Sequence, residues 1–238
     1  MKIIGIAIFT TFRAIKTVIR GIINKNKGNY FYEEMKKWAN ELLKIICTNI
    51  TIKGLDNIDN NEKYIYIANH TNLIDIPILV KALVNDKINF MYRESLQKMP
   101  MIGFALKHSP FIPIIRENIR KDSIQKANTI LQNAGSVVIF PEGTRSKTGQ
   151  IANFKRGAFM LADISGKKII PIAISGVENI TPPNKTFKIN KSNIIVEIGE
   201  PINKLPKERK ELLIAIENIR NNIINMKENN DKQLKTNI

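Results

Sequence analysis

The sequence predicts an α/β fold: a mixed, largely parallel sheet flanked by helices, preceded by a separate two-helix element. From residue 50 onward, strand patterns alternate with helical patterns, as in folds whose parallel strands are joined through helices. Strands such as VVIF and IIPIAI are almost continuously apolar, which is expected where helices cover both faces of a sheet. The 238 residues are enough for one sizeable domain of this kind with a short appendage.

Two helical patterns form the appendage, which we place at residues 1–48. A stripe of apolar residues recurs at helical spacing in the first pattern, with cations between its members: Ile8, Phe12, Ile15, Ile19 and Ile22, with Arg13, Lys16 and Arg20. Such a stripe is typical of a helix that lies in a membrane interface, but it also suits a helix packed on its own domain. The second helix is predicted at about 31–47, after a polar turn at 24–28. We expect this hairpin to associate with a membrane.

The apolar run at the N-terminus is too short to be a membrane span. Residues 3–12 give ten mostly apolar positions before Arg13, whereas an untilted spanning helix takes roughly 20 residues. No small-residue cleavage site follows the run, so a signal peptide is not indicated either. We therefore expect peripheral or monotopic association.

The α/β domain is predicted to cover residues 49–238. Its strands are expected at 50–54, 64–68, 88–93, 136–140, 168–174 and 193–198. Its helices are expected at 76–85, 95–107, 118–134, 154–165 and 207–227. The polar stretch at 225–238 is predicted to be a frayed tail.

The chain is strongly basic. Its 37 Lys and Arg against 21 Asp and Glu give a net charge of +16, which suits an anionic partner such as nucleic acid, an anionic membrane or a phosphorylated substrate. Charge alone does not choose among these partners. The single cysteine, Cys47, excludes an intramolecular disulfide and cysteine-based zinc sites, and it favours a reducing, cytoplasmic setting.

The stretch NHTNLID places a histidine and a carboxylate around one short loop. The strand at 64–68 would deliver His70 to the carboxyl edge of the sheet, and Asp75, just before Ile76-Pro77, is suitably placed to be the N-cap of the next helix. The loop can fold the carboxylate back onto the imidazole, where it would fix the tautomer and stabilise the imidazolium. The alternative is a lone histidine beside an ordinary helix cap.

The stretch SVVIFPEGTRS places a second functional loop at the end of a buried strand. Residues 140–146 combine one acid, one base, one glycine and two hydroxyls. Gly143 lets main-chain amides approach a ligand closely, and the planar fork of Arg145 matches phosphate or carboxylate. A generic turn with surface charges is the alternative. Convergence with His70 is expected because both loops follow strands of one parallel sheet.

Two further stretches complete a recognisable order. PFIPIIREN contains Arg116, and KKIIPIAISG contains Pro171; each alone is more often structural. With NHTNLID and FPEGTRS, they resemble the sequence blocks of the membrane-associated glycerolipid acyltransferases, in particular the 1-acylglycerol-3-phosphate acyltransferases, over roughly residues 50–200. His70 and Asp75 match the His-x4-Asp box of that family. Asn72 stands where the family most often has Ser, which we expect to tune activity and not to abolish it.

The resemblance implies an enzyme that transfers an acyl chain from an acyl thioester, either acyl-CoA or acyl-acyl carrier protein, to the 2-hydroxyl of 1-acyl-sn-glycerol 3-phosphate. His70 would be the general base and Asp75 its orienting carboxylate. Substrate binding would fall to Arg93, Arg116, Glu142, Gly143, Thr144 and Arg145. The acceptor would be lysophosphatidic acid, the product phosphatidic acid, and the setting the anionic cytoplasmic face of the cell membrane.

No cofactor, metal or protein nucleophile is expected. His108 is the only other histidine and is predicted to be exposed or to cap a helix, while Cys47 lies outside all four stretches. Other acceptors stay open, namely another lysolipid or an amino-acid-derived lipid. A nucleic-acid-binding protein is disfavoured because the cations are spread along the chain without a zinc finger, an RNP motif or an aromatic-rich basic patch. A membrane scaffold without chemistry is disfavoured by the intact histidine–aspartate pair.

Overall fold

A computed structural model describes most of the chain. The described residues are 3–23, 27–46, 49–100, 102–114, 121–133, 135–146, 149–180, 190 and 192–236. Of the residues discussed above, Cys47 and Arg116 lie outside them.

The described elements follow the expected alternation. The helices are α1 (Ile3–Ile23), α2 (Lys27–Ile46), α3 (Asp75–Ala82), α4 (Ile102–Lys107), α5 (Lys121–Asn133), α6 (Gly157–Ser165) and α7 (Arg209–Thr236). The strands are β1 (Asn49–Lys53), β2 (Ile65–Ala68), β3 (Ile88–Arg93), β4 (Ile112–Ile114), β5 (Ser136–Ile139), β6 (Ile169–Ser175) and β7 (Asn193–Ile198).

The strands form one seven-stranded sheet in the order β1-β7-β6-β2-β5-β3-β4. Strands β6 and β7 are antiparallel, and the other neighbouring strands run parallel. The predicted mixed, largely parallel sheet is therefore confirmed. In the central pair, Ile67 of β2 lies opposite Ile139 of β5. The loops that follow these two strands consequently leave the sheet side by side.

Helices cover both faces of the sheet, which explains the continuously apolar strands. Tyr66 and Phe90 point into a core shared with α2 and α3. Ile65 and Ile67 point into the opposite core, which is shared with α5, α6 and α7. Successive side chains of a strand point to opposite faces, so β2 buries all four of its residues.

Both predicted N-terminal helices are present, although α2 begins at Lys27, inside the predicted turn. Helix α1 leaves an apolar stripe in solvent. Ile8, Phe12 and Ile19 are 65%, 63% and 50% exposed. On another side of α1, the indole nitrogen of Trp38 donates to Thr10 Oγ1 at 3.3 Å, which links α1 to α2. Within the described part of the chain, no helix combines the length and the apolar character needed to cross a bilayer.

The middle of the chain differs from the prediction in two places. The helix predicted at 95–107 is split into a 3₁₀ turn at Glu94–Lys98 and helix α4. Pro100 lies between them; proline cannot donate a main-chain hydrogen bond and disfavours helical geometry in the residue before it. Strand β4 was not predicted. It is short and lies at the edge of the sheet, where its Pro113 is tolerated.

The prediction of a frayed C-terminal tail is wrong for residues 225–236. Helix α7 continues to Thr236, and Met226, Lys227 and Asn230 are buried in it. The ammonium of Lys227 lies 2.7 Å from carboxylate oxygens of both Glu178 and Asp231. Because these polar residues find partners when they are buried, the helix extends through a stretch that its composition marks as a tail.

Candidate active site

The residue that follows β2 fixes where the first functional loop begins. Asn69 is buried, and its side-chain amide exchanges two hydrogen bonds with the main chain of Ile174 in β6, at 3.0 and 2.8 Å. The side chain thus continues the pairing of β2 with β6 by one more position. His70 therefore starts from a rigid point at the carboxyl edge of the sheet.

His70 and Asp75 are paired as the loop spacing suggested. Nδ1 of His70 lies 2.7 Å from Oδ2 of Asp75. The same Oδ2 accepts hydrogen bonds of 2.8 Å from the main-chain N–H groups of Thr71 and Asn72. The Asp75 side chain is fully buried, whereas that of His70 is 14% exposed. Since the carboxylate occupies Nδ1, Nε2 is the ring nitrogen that is left to exchange a proton with a substrate.

Asp75 was predicted to be the N-cap of α3, and this prediction is wrong. Helix α3 begins at Asp75 itself and its N-cap position is occupied by Ile74. The carboxylate turns back to the loop, where Oδ2 contacts the imidazole and accepts from two loop amides. Asn72 supports this turn, since its Oδ1 accepts a hydrogen bond of 3.2 Å from the N–H of Ile74.

The buried side chain of Glu142 links its own loop to the loop that carries His70. One carboxylate oxygen accepts a hydrogen bond of 2.9 Å from the N–H of His70, and the other accepts one of 2.9 Å from the N–H of Ala152. The residue is only 5% exposed. Burial raises the pKa of Glu142, and the two amide hydrogen bonds oppose that rise. A second link runs from the N–H of Ser146 to the carbonyl oxygen of His70 at 2.7 Å.

The ring of Phe140 covers one face of the imidazole. The centroids of the Phe140 and His70 rings are 4.0 Å apart, and their planes differ by 16°. No separate role was predicted for Phe140, the first residue of FPEGTRS. Its position, one residue beyond a strand that neighbours the strand of His70, was the available signal.

The other predicted substrate residues that the structure describes follow strands of the sheet at the same edge. Arg93 is the last residue of β3 and is exposed, and Thr144 and Arg145 are exposed in the loop after β5. Strands β3 and β5 are parallel neighbours, so both ends open to the edge where His70 lies. Gly143 has a φ of 71°, and a Cβ there would come within 3.1 Å of the Lys155 side chain, so this position favours glycine.

Arg220 of α7 is part of the support for this site and was not predicted. Its Nη2 donates to the carbonyl oxygen of Ile151 at 2.7 Å, and its Nε donates to that of Ala152 at 3.0 Å. Ala152 is the residue whose N–H is bound by Glu142. No sequence signal could have found Arg220, because it looks like any surface cation of an amphipathic helix.

His108, the second histidine, contacts Phe104. It is exposed at the end of α4, where its Nδ1 hydrogen-bonds with the carbonyl oxygen of Phe104 at 2.8 Å, as the sequence indicated. Among the described residues, no cluster of three or more His, Cys, Asp or Glu side chains could hold a metal ion.

A comparison with family models identifies the family of the chain. The family model described as "Acyltransferase" matches residues 49–175, which is more than half of the chain. The chain belongs to the acyltransferase family. The matched segment runs from β1 to β6 and contains both loops that meet at His70, so the resemblance drawn from the four stretches is confirmed.

Named relatives of this acyltransferase-family chain agree on one activity. It is 28% identical over 208 residues to a 1-acyl-sn-glycerol-3-phosphate acyltransferase of Bacillus subtilis, covering 84% of this chain and 100% of the relative. It is 32% identical over 156 residues to the chloroplastic LPAT1 1-acyl-sn-glycerol-3-phosphate acyltransferase of Arabidopsis thaliana, covering 64% of this chain and 43% of the relative. The chain thus spans less than half the length of several relatives that it matches.

A solved structure has the same fold. The crystal structure of the 1-acyl-sn-glycerophosphate (LPA) acyltransferase PlsC from Thermotoga maritima matches with a TM-score of 0.71, covering 88% of this chain and 86% of that chain. The sequence identity is 22%, so the likeness concerns the fold. It confirms the mixed α/β architecture with helices ahead of the sheet.

Proposed function

We propose that this chain transfers an acyl group from an acyl thioester to the 2-hydroxyl of 1-acyl-sn-glycerol 3-phosphate and so forms phosphatidic acid. Membership of the acyltransferase family and the names of its relatives support this proposal. The observation that carries it is the 2.7 Å contact between Nδ1 of His70 and Oδ2 of Asp75 at the carboxyl edge of the sheet. A histidine oriented by a buried carboxylate is suited to general-base catalysis.

In the proposed reaction, Nε2 of His70 takes the proton of the 2-hydroxyl while the oxygen attacks the thioester carbonyl carbon. Asp75 stabilises the imidazolium that forms, since its charge is buried against Nδ1. The tetrahedral intermediate then collapses, the carbon–sulfur bond breaks, and the proton passes from Nε2 to the leaving thiolate. Acid–base help of this kind typically contributes about 10²–10⁴-fold. The acyl group passes directly to the acceptor, so the reaction requires no acyl-enzyme.

The phosphate of the acceptor is assigned to the arginines. Arg93 and Arg145 are exposed at the edge of the sheet where His70 lies, and Arg116 joins them by resemblance. Guanidinium groups bind phosphate in two-point hydrogen bonds, which fix orientation as well as charge. Gly143 and Thr144 are assigned to the substrate site on the same resemblance.

Glu142 has a positioning part in this proposal. Both of its oxygens are engaged by main-chain amides, and its side chain is buried. It therefore serves the substrate site by holding the His70 loop against the loop that carries Arg145. Glu142, which was predicted to bind substrate, is therefore proposed to hold the two loops together.

The chain is proposed to work on the cytoplasmic face of the cell membrane as a peripheral or monotopic protein. The exposed stripe of Ile8, Phe12 and Ile19 on α1 and the net charge of +16 both favour an anionic lipid surface. Residues 1–48 would form the membrane-associating unit and residues 49–238 the acyltransferase domain. Both acyl-CoA and acyl-acyl carrier protein are candidate donors.

A panel of acceptors tests the proposal. The full chain is incubated in detergent with each donor and with lysophosphatidate, lysophosphatidylcholine or a lyso-form of an ornithine lipid, and the products are identified by mass spectrometry. Phosphatidate from lysophosphatidate, with little product from the other two acceptors, is expected. Acylation of only another acceptor would contradict the assigned substrate. Salt-dependent binding of an oligonucleotide without any binding of lipid would contradict the whole proposal.

A further inference from the structure

The loop tip at residues 143–145 is tied at both ends to the main chain of His70. Before the tip, Glu142 accepts a hydrogen bond of 2.9 Å from the N–H of His70. After the tip, the N–H of Ser146 donates to the carbonyl oxygen of His70 at 2.7 Å. The three residues between these anchors are exposed, so the tip opens to solvent next to His70.

The side chain of Lys155 lies across this tip. A Cβ at Gly143 would lie 3.1 Å from both Cε and Nζ of Lys155, and 3.3 Å from its Cδ. The main chain of Lys155 is attached to the same loop, since its N–H donates to the carbonyl oxygen of Pro141 at 2.9 Å. Because position 143 has no side chain, the ammonium end of an exposed lysine reaches the tip.

The surface around the tip is positively charged. Arg145 and Lys155 are both exposed there. The only acid of the sequence between residues 140 and 157 is Glu142, which is buried and has both carboxylate oxygens bonded to main-chain N–H groups. Two exposed cations at one tip, with the acid turned inward, suit a ligand that carries more than one negative charge.

The acceptor of the proposed function carries such a charge close to its reacting oxygen. In 1-acyl-sn-glycerol 3-phosphate, the phosphate is attached to the carbon next to the one whose hydroxyl is acylated. A phosphate bound in a reactive pose must therefore lie close to His70. A phosphate monoester carries a charge of about −1.5 to −2 at neutral pH, whereas a phosphodiester headgroup carries a single negative charge from its phosphate.

We propose that Lys155 binds the phosphate of the acceptor together with Arg145, and that it makes the site prefer a phosphate monoester to a phosphodiester. The planar guanidinium of Arg145 fixes the orientation of the phosphate, and the ammonium of Lys155 adds a point charge on a flexible stem. The consequence for acyl transfer rests on the function proposed above. Binding of the monoester is measured without that reaction.

Binding of two soluble acceptors without an acyl donor tests the proposal. The full chain in detergent is titrated by calorimetry with 1-hexanoyl-sn-glycerol 3-phosphate and with its phosphodiester counterpart, 1-hexanoyl-sn-glycero-3-phosphoglycerol. In Lys155→Met, we expect the Kd of the monoester to rise by about tenfold or more and that of the diester by less than about threefold. Methionine keeps an unbranched apolar stem over Gly143. Lys155→Gln, with the same expectation, covers the case in which Lys155→Met does not fold.

Two further variants separate the charge at the tip from packing and from net charge. Lys155→Arg keeps the cation, so the Kd of the monoester should stay within about threefold of that of the wild type. Arg156→Met removes the neighbouring exposed cation and should change either Kd by less than about threefold. The proposal would be overturned by an unchanged monoester Kd in Lys155→Met, by an equal rise for both ligands, or by a Lys155→Arg protein as impaired as Lys155→Met. An equal effect of Arg156→Met would overturn it as well.

Turnover tests the consequence for the reaction. With lysophosphatidate, Lys155→Met should lower kcat/KM by about tenfold, mainly through KM, because the phosphate contact is present in both the ground state and the transition state. The KM for the acyl thioester should stay near that of the wild type. A loss confined to kcat would contradict this role. Wild-type protein that binds the monoester without any acyl transfer would contradict the proposed function and support the phosphate site, whereas wild-type protein that binds neither ligand would overturn the phosphate site.

Discussion

The N–H of His70 donates to a carboxylate oxygen of Glu142 at 2.9 Å, so the main chain of the proposed base is bound by a residue of the second functional loop. The carbonyl oxygen of His70 accepts from the N–H of Ser146 in the same loop, at 2.7 Å. Both polar main-chain groups of His70 are thus fixed by one neighbouring segment. The position of the imidazole depends on this pairing as well as on Asp75.

Changing Glu142 to Gln is expected to weaken both the fold and the site. The amide group can accept from only one of the N–H groups of His70 and Ala152, and it presents a donor to the other. A buried N–H without an acceptor costs about 1–3 kcal/mol, so we expect a lower free energy of unfolding in urea and a lower kcat. Glu228→Gln, at an exposed position of α7, is the control. Wild-type stability and kcat in Glu142→Gln would contradict this role.

Arg220 is expected to support the site from α7. Arg220→Met removes two hydrogen bonds to carbonyl oxygens, those of Ile151 and Ala152. We expect the free energy of unfolding to fall by about 1–3 kcal/mol and kcat to fall with it, since Ala152 anchors Glu142. The matched control is Glu217→Gln, which removes only the surface ion pair of Arg220, typically worth about 0–1 kcal/mol. Equal effects of the two variants would argue against an anchoring role.

Arg145 is expected to recognise the acceptor and not the donor. In Arg145→Met, the loss of charged hydrogen bonds to the phosphate should raise the KM for lysophosphatidate by roughly tenfold or more. The KM for the acyl thioester should change much less. Arg209→Met, at an exposed position at the start of α7, controls for net charge. An equal rise in both Michaelis constants of Arg145→Met would count against the phosphate assignment.

The exposed stripe of α1 is expected to drive membrane association. The double variant Ile8→Gln/Phe12→Gln should lower binding to vesicles of phosphatidylglycerol and phosphatidylcholine by at least about tenfold, because two apolar side chains no longer enter the lipid. The control is Leu213→Gln/Ile214→Gln, which changes two side chains of α7 that are 44% and 56% exposed. Co-sedimentation measures the bound fraction. Wild-type binding of the α1 variant, or equal weakening of both, would rule out this surface.

Much of the fold follows from local patterns. Strands β3 and β7 occur at their predicted bounds, because apolar strand runs bounded by polar residues are a strong signal. The tail prediction failed because α7 buries Lys227 and Asn230, and apolar periodicity does not register buried polar residues. Asn230, for example, accepts a hydrogen bond from Lys53 at 2.7 Å, a contact between distant parts of the sequence.

Part of the candidate site could likewise be predicted from local sequence, and part could not. The pairing of His70 with Asp75 could be predicted as one of two possibilities, because the short loop between a strand and a helix allows the carboxylate to fold back onto the imidazole. The inward orientation of Glu142 could not, since spacing does not tell which way a loop carboxylate points. The contribution of Arg220 depends on where α7 packs against the rest of the chain.

The release of free thiol from an acyl thioester tests the central claim, that His70 activates the hydroxyl of lysophosphatidate. Wild-type protein and His70→Ala are compared in detergent, with and without lysophosphatidate, after circular dichroism has shown that both are folded. We expect rapid release only when His70 and lysophosphatidate are both present. Near-normal release by folded His70→Ala in the presence of lysophosphatidate would contradict the account.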